Sequence, residues 1–314
     1  MILTVIILTM NEEQHIARAI GSVKDIADRI IVVDSGSSDT TCEIALLAGA
    51  EVMVNPFINQ AQQFNWALEI LPVETNWVLR LDADEFVSDT LAKEISTQLL
   101  GLPPEVNGVT LARRIAFMGK PIRYGGLFPI HVIRLLRHGF GKSEDRWMDE
   151  HILIEGDVVS FKGELIDDNL KPLCWWIEKH NAYASREVLQ FFYEKYGTFQ
   201  QIHGMSLGKS QTSMKRWIKG KIYLRLPGGF RAFLYFIYRY VLCFGFLDGR
   251  AGTAFHVLQG FWYRYIIDLR IYEVEKYSRD HGCEICESIE HVLGIKLDSS
   301  FKNHIYKSTK KSNN

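Results

Sequence analysis

The sequence has few cysteines, and their placement excludes two cysteine-based architectures. Its 314 residues include five cysteines at scattered positions, which do not make a disulfide framework for a chain of this length. Cys283 and Cys286 form a C-x-x-C pair after His281, but no second pair follows to complete the roughly four ligands of a zinc site. We therefore expect reduced thiols.

Long hydrophobic runs are also missing. The apolar stretch at residues 2–8 lacks a basic flank and reaches Asn11 too soon for a secretory signal. No stretch reaches the roughly 20 apolar residues that span a bilayer. The nearest one, residues 230–247, is interrupted by Arg231 and Arg239. These absences predict a cytoplasmic protein.

Neither sign of charge is in excess over the whole chain, whose net charge is −1, but one segment is strongly basic. Residues 205–247 contain eight Lys or Arg and no Asp or Glu, and residues 233–240 are mostly aromatic. Such a segment suits the boundary between lipid headgroups and acyl chains, so an anionic membrane surface is a predicted partner. An aromatic core helix is the alternative. Nothing else supports single-stranded nucleic acid, and no nucleic-acid partner is expected.

The first hundred residues alternate between apolar strands and amphipathic helices. Asn11 is placed to cap the first helix. The alternation predicts an α/β fold with a Rossmann-like, mostly parallel sheet and helices on both faces. The chain has neither G-x-G-x-x-G nor G-x-x-x-x-G-K-[ST], which argues against a dehydrogenase and a P-loop enzyme.

Acidic residues follow two of the predicted strands, and ligands bind beyond the carboxyl ends of strands in such sheets. Asp82-Ala83-Asp84 comes directly after the strand at residues 77–81, and Asp34 ends an earlier strand. Paired carboxylates can hold a divalent cation that bridges a diphosphate, and an acid at a strand end can accept a hydrogen bond from a ribose. The plain alternatives are a solvated loop for the triplet and a turn, capped by Ser37 or Ser38, after Asp34.

Three segments resemble, in order and spacing, the signatures of family 2 glycosyltransferases: residues 8–13, 32–39 and 81–85. The resemblance implies the glycosyltransferase A fold, in which a Rossmann-like nucleotide half is joined to an acceptor half. Within the family, the chain looks like bacterial enzymes that build lipopolysaccharide core or extracellular polysaccharide. The resemblance therefore implies a transferase of the hexosyltransferase type.

The resemblance also implies roles for single residues. Asp84 would be the principal ligand of a Mn²⁺ or Mg²⁺ ion, and Asp82 would contact the ribose or, through water, the metal. Met10 stands where many members have an aromatic residue and Ser35 where many have a second Asp, so base recognition is expected to differ in detail, with UDP as the expected nucleotide. The residues expected to bind the nucleotide-sugar are Thr9, Met10, Asn11, Glu12, Asp34, Ser35, Asp82 and Ala83.

Inverting transfer needs a general base that removes the proton of the acceptor hydroxyl. Asp149 and Glu150 are the candidates, and the resemblance does not separate them. Glu144 and Asp145 are a rival pair. His151 is a candidate further metal ligand, or a group that orients the leaving diphosphate. The alternative is an exposed acidic turn.

The chain is predicted to have four parts. These are a nucleotide-sugar-binding half (1–102), an acceptor-binding half (103–204), a basic and aromatic helical extension that associates with a membrane (205–297), and a disordered tail (298–314). Within the second half we expect strands at residues 108–117, 129–136 and 152–161 and a helix at residues 175–196. Acceptor choice is expected to depend on loops such as residues 120–128.

Together these features predict inverting, metal-dependent transfer of a sugar from a nucleotide-sugar to a glycan acceptor. The acceptor is expected to be lipid-linked, because a peripheral enzyme meets such acceptors at the inner face of the cytoplasmic membrane. A sugar nucleotidyltransferase normally carries a Gly-rich, basic loop after its first strand, where residues 9–13 of this chain are acidic. A non-catalytic glycan- or membrane-binding protein is the other alternative, against which the intact Asp82 and Asp84 argue. No oligomeric state is predicted.

Overall fold

The computed structural model describes residues 3–144, 151–196 and 228–297, together with residues 299, 301, 302 and 305. Its strands are β1 (Leu3–Thr9), β2 (Arg29–Asp34), β3 (Glu51–Val54), β4 (Trp77–Asp82), β5 (Glu85–Val87), β6 (Val106–Phe117), β7 (Lys120–Pro121), β8 (Ile130–Arg137), β9 (Gly141–Ser143), β10 (Ile152–Ile154) and β11 (Asp157–Asp168). Its helices are α1 (Ile16–Val23), α2 (Thr41–Leu47), α3 (Gln60–Glu69), α4 (Asp89–Gln98), α5 (Leu173–Tyr196), α6 (Phe230–Ile237), α7 (Gly249–Phe255), α8 (Tyr263–His281) and α9 (Ile285–Leu293).

Strand β1 lies in the parallel half of the sheet, between β2 and β4. All of its residues are buried, as expected for an apolar strand covered on both faces. The register places Thr9 beside Asp34 on one side and Leu8 beside Asp82 on the other. The prediction that Asp34 and Asp82 meet at one edge of the sheet is therefore confirmed.

The prediction of a mostly parallel sheet is wrong. Among the described residues the sheet has nine strands in the order β3-β2-β1-β4-β8-β6-β11-β5, with β7 on β6. Strand β8 runs antiparallel to both β4 and β6, and β5 runs antiparallel to β11. The reason is that β6 turns back through the short strand β7 instead of crossing over through a helix. As a result, the end of β6 and the start of β8 lie at the same edge as the carboxyl ends of β1, β2 and β4.

Helices cover both faces of this sheet. On one face, apolar side chains of α1, α2 and α4 pack against β1, β4 and β11. On the other face, Phe64, Ala67 and Leu68 of α3 pack against β1, β2 and β4, together with the two-stranded ribbon of β9 and β10. Because both faces are covered, we expect the functional polar groups at the edge where β1, β2 and β4 end.

Two local predictions are corrected. The first helix begins at Ile16 with His15 at its N-cap, so Asn11 does not cap it; Asn11 instead adopts a positive φ of 55°. The single strand expected over residues 152–161 is divided into β10 and the start of β11 by a turn at Gly156. Gly156 has a φ of +108°, and a Cβ there would lie 2.5 Å from Asn107 Nδ2. Only glycine fits such a turn.

The C-terminal module, residues 228–297, is helical and joins α5 to form a second apolar core. Side chains of α5, α8 and α9 pack together there, and Phe301 and Ile305 are buried among them. The prediction of a disordered tail is therefore wrong at those two residues, because their apolar side chains complete this core. Among the described residues, no single helix has the length and composition to cross a membrane. The helical stretches Phe230–Leu242 and Gly245–His281 meet these two criteria only when they are taken together, and this pair is bent by 71°.

Candidate active site

The loops after β1 and β2 hold each other in place. The backbone N–H of Asn11 donates to Ser37 Oγ at 2.7 Å, and Asn11 Oδ1 accepts from the N–H of Ser38 at 2.8 Å. Glu12 donates its N–H to Thr41 Oγ1 at 2.8 Å. These bonds fix the surface of the two loops, on which the base and ribose are expected to bind. Met10 is half exposed on this surface.

The Asp34 carboxylate accepts hydrogen bonds from the turn that directly follows it. Its Oδ2 accepts from the N–H groups of Gly36 at 2.9 Å and Ser37 at 2.8 Å, and the side chain is buried. The Ser37 hydroxyl bonds to the other carboxylate oxygen. Ser35 Oγ accepts from Gln63 Nε2 at 3.1 Å. Neither Ser37 nor Ser38 caps α2, whose N-cap is Thr40, and a ribose contact by Asp34 stays a prediction.

Asp82 belongs to a buried charge network. One Asp82 oxygen lies 2.9 Å from Arg134 Nη2, and the other lies 3.5 Å from Arg80 Nη2. The same Arg134 nitrogen is 2.7 Å from Glu85 Oε1. Burial alone would raise the pKa of Asp82, but Arg134 and Arg80 hold it well below its ordinary value. Burial raises the pKa of Glu85 to about 7.

Asp84 points to different partners, which come from the second half of the chain. Its Oδ2 accepts from Asn169 Nδ2 at 3.0 Å and lies 3.9 Å from Lys179 Nζ. Arg18 donates to its backbone oxygen at 3.4 Å and pairs with Asp168 at 2.8 Å. Asp84 therefore stands between the end of β11 and α5, with 18% of its side chain exposed.

A second contact joins the start of α5 to the nucleotide loops. Lys171 Nζ lies 2.6 Å from the backbone oxygen of Asn11 and 2.8 Å from Glu12 Oε1. The buried His15 accepts the Leu170 N–H at Nε2, at 2.8 Å. Its proton is therefore on Nδ1, which donates to Glu12 at 2.5 Å. The segment after β11 is thus attached to the loop after β1.

Two lysines place ammonium groups at this edge, beside its carboxylates. The Nζ atoms of Lys171 and Lys179 lie 4.2 Å and 4.7 Å from the centroid of a Trp175 ring. Burial alone would lower the pKa of Lys179, but the charge of Asp84 raises it above its ordinary value. Burial and the charge of Asp84 raise the pKa of Asp167 to about 6. Ammonium groups fixed beside a carboxylate suit a ligand that combines phosphate with a cation.

The described residues fit a bridging cation at Asp84 better than at Asp82. A Mg²⁺ ion on a diphosphate needs only one or two protein carboxylates, and Asp84 presents one at the sheet edge, whereas the Asp82 oxygens face arginines. His151 precedes β10 on the ribbon beside α3, where Glu144 donates its N–H to the backbone oxygen of His151. No three His, Cys, Asp or Glu side chains of the described residues form a group that could hold a metal.

Asp149 and Glu150, the candidate bases, lie outside the described residues, as does Asp145 of the rival pair. Their role stays a prediction. Among the nucleotide-binding candidates, Thr9 and Ala83 are buried, and Ala83 donates its N–H to the backbone oxygen of Leu8 at 3.1 Å. The structure therefore brings the predicted residues after β1, β2 and β4 to one edge of the sheet, whereas His151 lies on the ribbon of β9 and β10 and its role as a metal ligand stays a prediction.

Several residues of this edge are not predictable from the sequence motifs. Lys171, Lys179 and Asn169 reach Asp84 or Glu12 from about 85 to 160 positions away along the chain. They lie in no recognisable motif. The only feature that the sequence shows in this region is the helical spacing of α5, which predicts a helix but not its contact with the donor edge. The sequence around Arg134 has no feature that distinguishes a buried, ion-paired arginine from a solvated arginine in a strand.

The chain is similar to a family model and to proteins of known sequence. Residues 4–120 match the model of glycosyl transferase family 2. The lipopolysaccharide core biosynthesis glycosyltransferase LpsC of Rhizobium meliloti is 30% identical over 197 residues, which cover 60% of this chain and 71% of that protein. The chain belongs to glycosyltransferase family 2. The predicted family is confirmed, and the family 2 domain with this helix-covered sheet fits the glycosyltransferase A fold.

Other proteins match this family 2 glycosyltransferase over shorter parts of the chain than LpsC does. An uncharacterized glycosyltransferase of Rickettsia typhi is 49% identical over 89 residues, or 28% of this chain, and the match spans 30% of the rickettsial protein. Glucosyl-3-phosphoglycerate synthase of Mycobacterium tuberculosis, solved with Mn²⁺, UDP and glucosyl-3-phosphoglycerate, is 22% identical with a TM-score of 0.31. That match covers 36% of this chain and 44% of the mycobacterial chain.

Proposed function

We propose that this protein catalyses inverting, metal-dependent transfer of a sugar from a UDP-sugar to a lipid-linked glycan during lipopolysaccharide or exopolysaccharide assembly. One observation carries the proposal. The Asp84 carboxylate stands at the sheet edge, beside Lys179 and next to the interlocked loops after β1 and β2. A base and ribose surface, a carboxylate and fixed ammonium groups at one edge are what a nucleoside diphosphate requires.

The residues of the edge divide the work of donor binding. The loops that contain Asn11 and Asp34 hold the nucleoside, and Lys171 fixes the first of them through its contacts with Asn11 and Glu12. Lys179 supplies positive charge for the diphosphate. Asp84 would hold a Mn²⁺ or Mg²⁺ ion, which neutralises charge on the departing diphosphate. Asp82, held by Arg134, positions the turn rather than binding the ion itself.

The transfer step exchanges one bond for another at the anomeric carbon. The carbon–oxygen bond to the diphosphate breaks, and its electron pair leaves with the nucleoside diphosphate. The acceptor oxygen bonds to the carbon from the opposite face and loses its proton to a carboxylate. Asp149 and Glu150 are the proposed bases, and an α-linked donor would give a β-linked product.

The lipid-linked acceptor is supported by two features. The relative LpsC acts, by its name, in lipopolysaccharide core biosynthesis. The C-terminal module also exposes large apolar side chains at Phe230, Phe233, Leu234, Tyr238, Val241, Leu242, Phe244, Phe246 and Leu247. An exposed apolar surface that follows the basic residues 205–227 in the sequence suits an anionic membrane. The enzyme would thus work peripherally at the inner face of the cytoplasmic membrane.

A thermal-shift screen of nucleotide-sugars, with and without Mn²⁺, tests the donor assignment. A true donor stabilises the fold by mass action, and the metal should increase that shift for wild type but not for Asp84→Asn. An assay of donor hydrolysis separates the alternatives, because a non-catalytic protein would bind without releasing UDP. A sugar nucleotidyltransferase would instead release pyrophosphate from a nucleoside triphosphate and a sugar phosphate. Absence of any nucleotide-sugar shift would overturn the proposal.

A further inference from the structure

The loop between β7 and β8 is held by the C-terminal module through consecutive backbone groups. The N–H of Arg123 lies 3.1 Å from both carboxylate oxygens of Asp248, and the N–H of Tyr124 donates to Asp248 Oδ2 at 2.9 Å. The next N–H, that of Gly125, donates to the backbone oxygen of Cys243 at 2.9 Å. One turn of the module thus accepts hydrogen bonds from three consecutive N–H groups of this loop.

The surfaces of the loop and the module fit closely. Gly125 has a φ of +76°, and a Cβ there would lie 2.1 Å from the ring of the buried His256. Beneath the loop, Ile122 and Phe117 are buried with Phe255 of α7 and Trp176 of α5. The Phe117 ring contacts both aromatic rings edge-on, at 5.5 Å and 5.3 Å between centroids. The module therefore determines the conformation of this loop.

The topology places this loop at the same sheet edge as the candidate active site. It connects the end of β6 to the start of β8, and both lie at the sheet edge that carries Asp82 and Asp84. The last residues of β6 pair with Asp167 and Asp168 of β11. Helix α5 contacts both this loop and the candidate active site. Trp176 packs under the loop against Phe117, and one turn later Lys179 Nζ lies 3.9 Å from the Asp84 carboxylate.

The loop directs two side chains outward while its backbone is held inward. Arg123 and Tyr124 are both exposed, Tyr124 by 43%. A tyrosine ring can stack on a sugar ring, and a guanidinium forms paired hydrogen bonds with phosphate or carboxylate groups. An exposed Arg–Tyr pair on a fixed backbone beside a transfer site has the chemistry to bind an anionic saccharide.

We propose that Arg123 and Tyr124 bind the acceptor saccharide through an anionic group and a sugar ring, and that Asp248 positions them. This inference rests on the proposed sugar transfer and adds the acceptor's chemical class to it. It also gives the C-terminal module a part in acceptor binding. The module holds the recognition loop, and its exposed apolar side chains, such as Phe246 and Leu247, are neighbours of Asp248 in sequence.

Kinetics of purified full-length variants test the inference. The acceptor is a membrane-lipid extract of cells that lack this gene, and the donor is the nucleotide-sugar identified by thermal shift. Arg123→Gln and Asp248→Ala should each raise the apparent KM for the extract about tenfold, the value of one charged hydrogen bond. Hydrolysis of the donor by water should stay near the wild-type rate. Asp248→Asn keeps one acceptor oxygen and should fall between wild type and Asp248→Ala.

Hydrogen exchange of the loop amides separates positioning from binding. Asp248→Ala should lose protection at residues 123 and 124, whereas Arg123→Gln should keep it. Arg279→Gln and Asp280→Ala, both exposed at the end of α8, are controls that should match wild type. Parallel loss of hydrolysis and transfer, or an unchanged KM in Arg123→Gln, would overturn the inference. If wild type neither binds nor hydrolyses any donor, the proposed function itself fails.

Discussion

The donor half gathers paired charged groups at its strand ends, whereas the C-terminal module exposes a dense set of large apolar side chains. In the donor half, Asp34, Asp82 and Glu12 each have close partners at the strand ends. Buried polar atoms without a hydrogen-bond partner among the described residues occur in both regions, for example Thr9 Oγ1 in the donor half and both ring nitrogens of His256 in the module. The module also exposes many aromatic side chains, whereas the apolar residues of β1 are fully covered.

This difference indicates different tasks. A nucleotide surface must be complete before its ligand arrives, because binding energy is lost when groups have to be ordered first. The polar groups of the donor edge are accordingly fixed by each other. The module instead exposes many large apolar side chains close together in the chain, which is typical of a surface that contacts a further partner. Variants in each region can test the division.

The largest effect is expected from Asp84→Asn in the donor half. The substitution removes the negative charge that would hold the metal, so transfer should fall on the order of a thousandfold, the scale of a lost electrostatic contact in a transition state. Initial rates with saturating Mn²⁺ measure it. Vesicle binding should be unchanged. Retained transfer in purified Asp84→Asn would contradict the metal assignment.

A large loss of stability is expected from Arg134→Gln. The change leaves Asp82 and Glu85 without their shared cation, and removal of one partner from a buried ion pair costs about 3–5 kcal/mol. Urea unfolding gives the difference in free energy. Arg134→Lys keeps a charge and should lose less, and the exposed Arg279→Gln should lose nothing. Equal stability of Arg134→Gln and wild type would show that the network is not stabilising.

A moderate effect is expected on membrane contact. The double variant Phe246→Ser, Leu247→Ser removes two exposed apolar side chains of the module, and binding to vesicles of phosphatidylethanolamine and phosphatidylglycerol should weaken about tenfold or more. Wild-type binding should also weaken at high salt, because screening reduces the attraction of the basic segment. Sedimentation with vesicles measures both.

The matched control for membrane contact is Leu47→Ser, which removes an 83% exposed leucine from α2 in the donor half. It should bind vesicles as wild type does. If Leu47→Ser and the double variant bind equally well, or if wild type ignores anionic vesicles, the module is not a membrane-contacting surface and the comparison between the two regions fails.

The smallest effect is expected in the pH dependence of stability. Burial, with the charge of Arg239, lowers the pKa of His256 to about 4 from an ordinary 6.5. As the pH falls from about 6.5 toward 4, the unfolded chain takes up a proton that the folded chain does not, so the folded state loses stability. His256→Gln should reduce that loss by about 1–3 kcal/mol.

Urea midpoints at pH 7 and pH 4.5 measure the pH effect. The exposed His281→Gln is the control and should keep the wild-type dependence. An identical decline in wild type and His256→Gln would show that His256 does not sense the acid. The pH range, and not the sign, distinguishes the two regions, because a carboxylate with a lowered pKa, such as Asp82, loses its contribution only at more acidic pH than His256 does.

The sequence by itself determined the donor half. Buried strands and amphipathic helices are local patterns, and the positions of Asp34, Asp82 and Asp84 at strand ends follow from them because parallel strands end at one edge. The same locality explains the family match over residues 4–120. Where local rules competed, as at Asn11, tertiary contacts with Ser37 and Ser38 overrode its helix-capping preference.

Only the tertiary structure decided how the second half completes the site. Asn169, Lys171 and Lys179 reach the donor edge, and Asp248 reaches the loop of Arg123 and Tyr124, across more than 80 residues of sequence. Such contacts depend on which strands pair and in which direction, and the reversal of β8 was not encoded in any local pattern. A charged residue in a strand has the same signature whether it is solvated or, like Arg134, buried against two carboxylates.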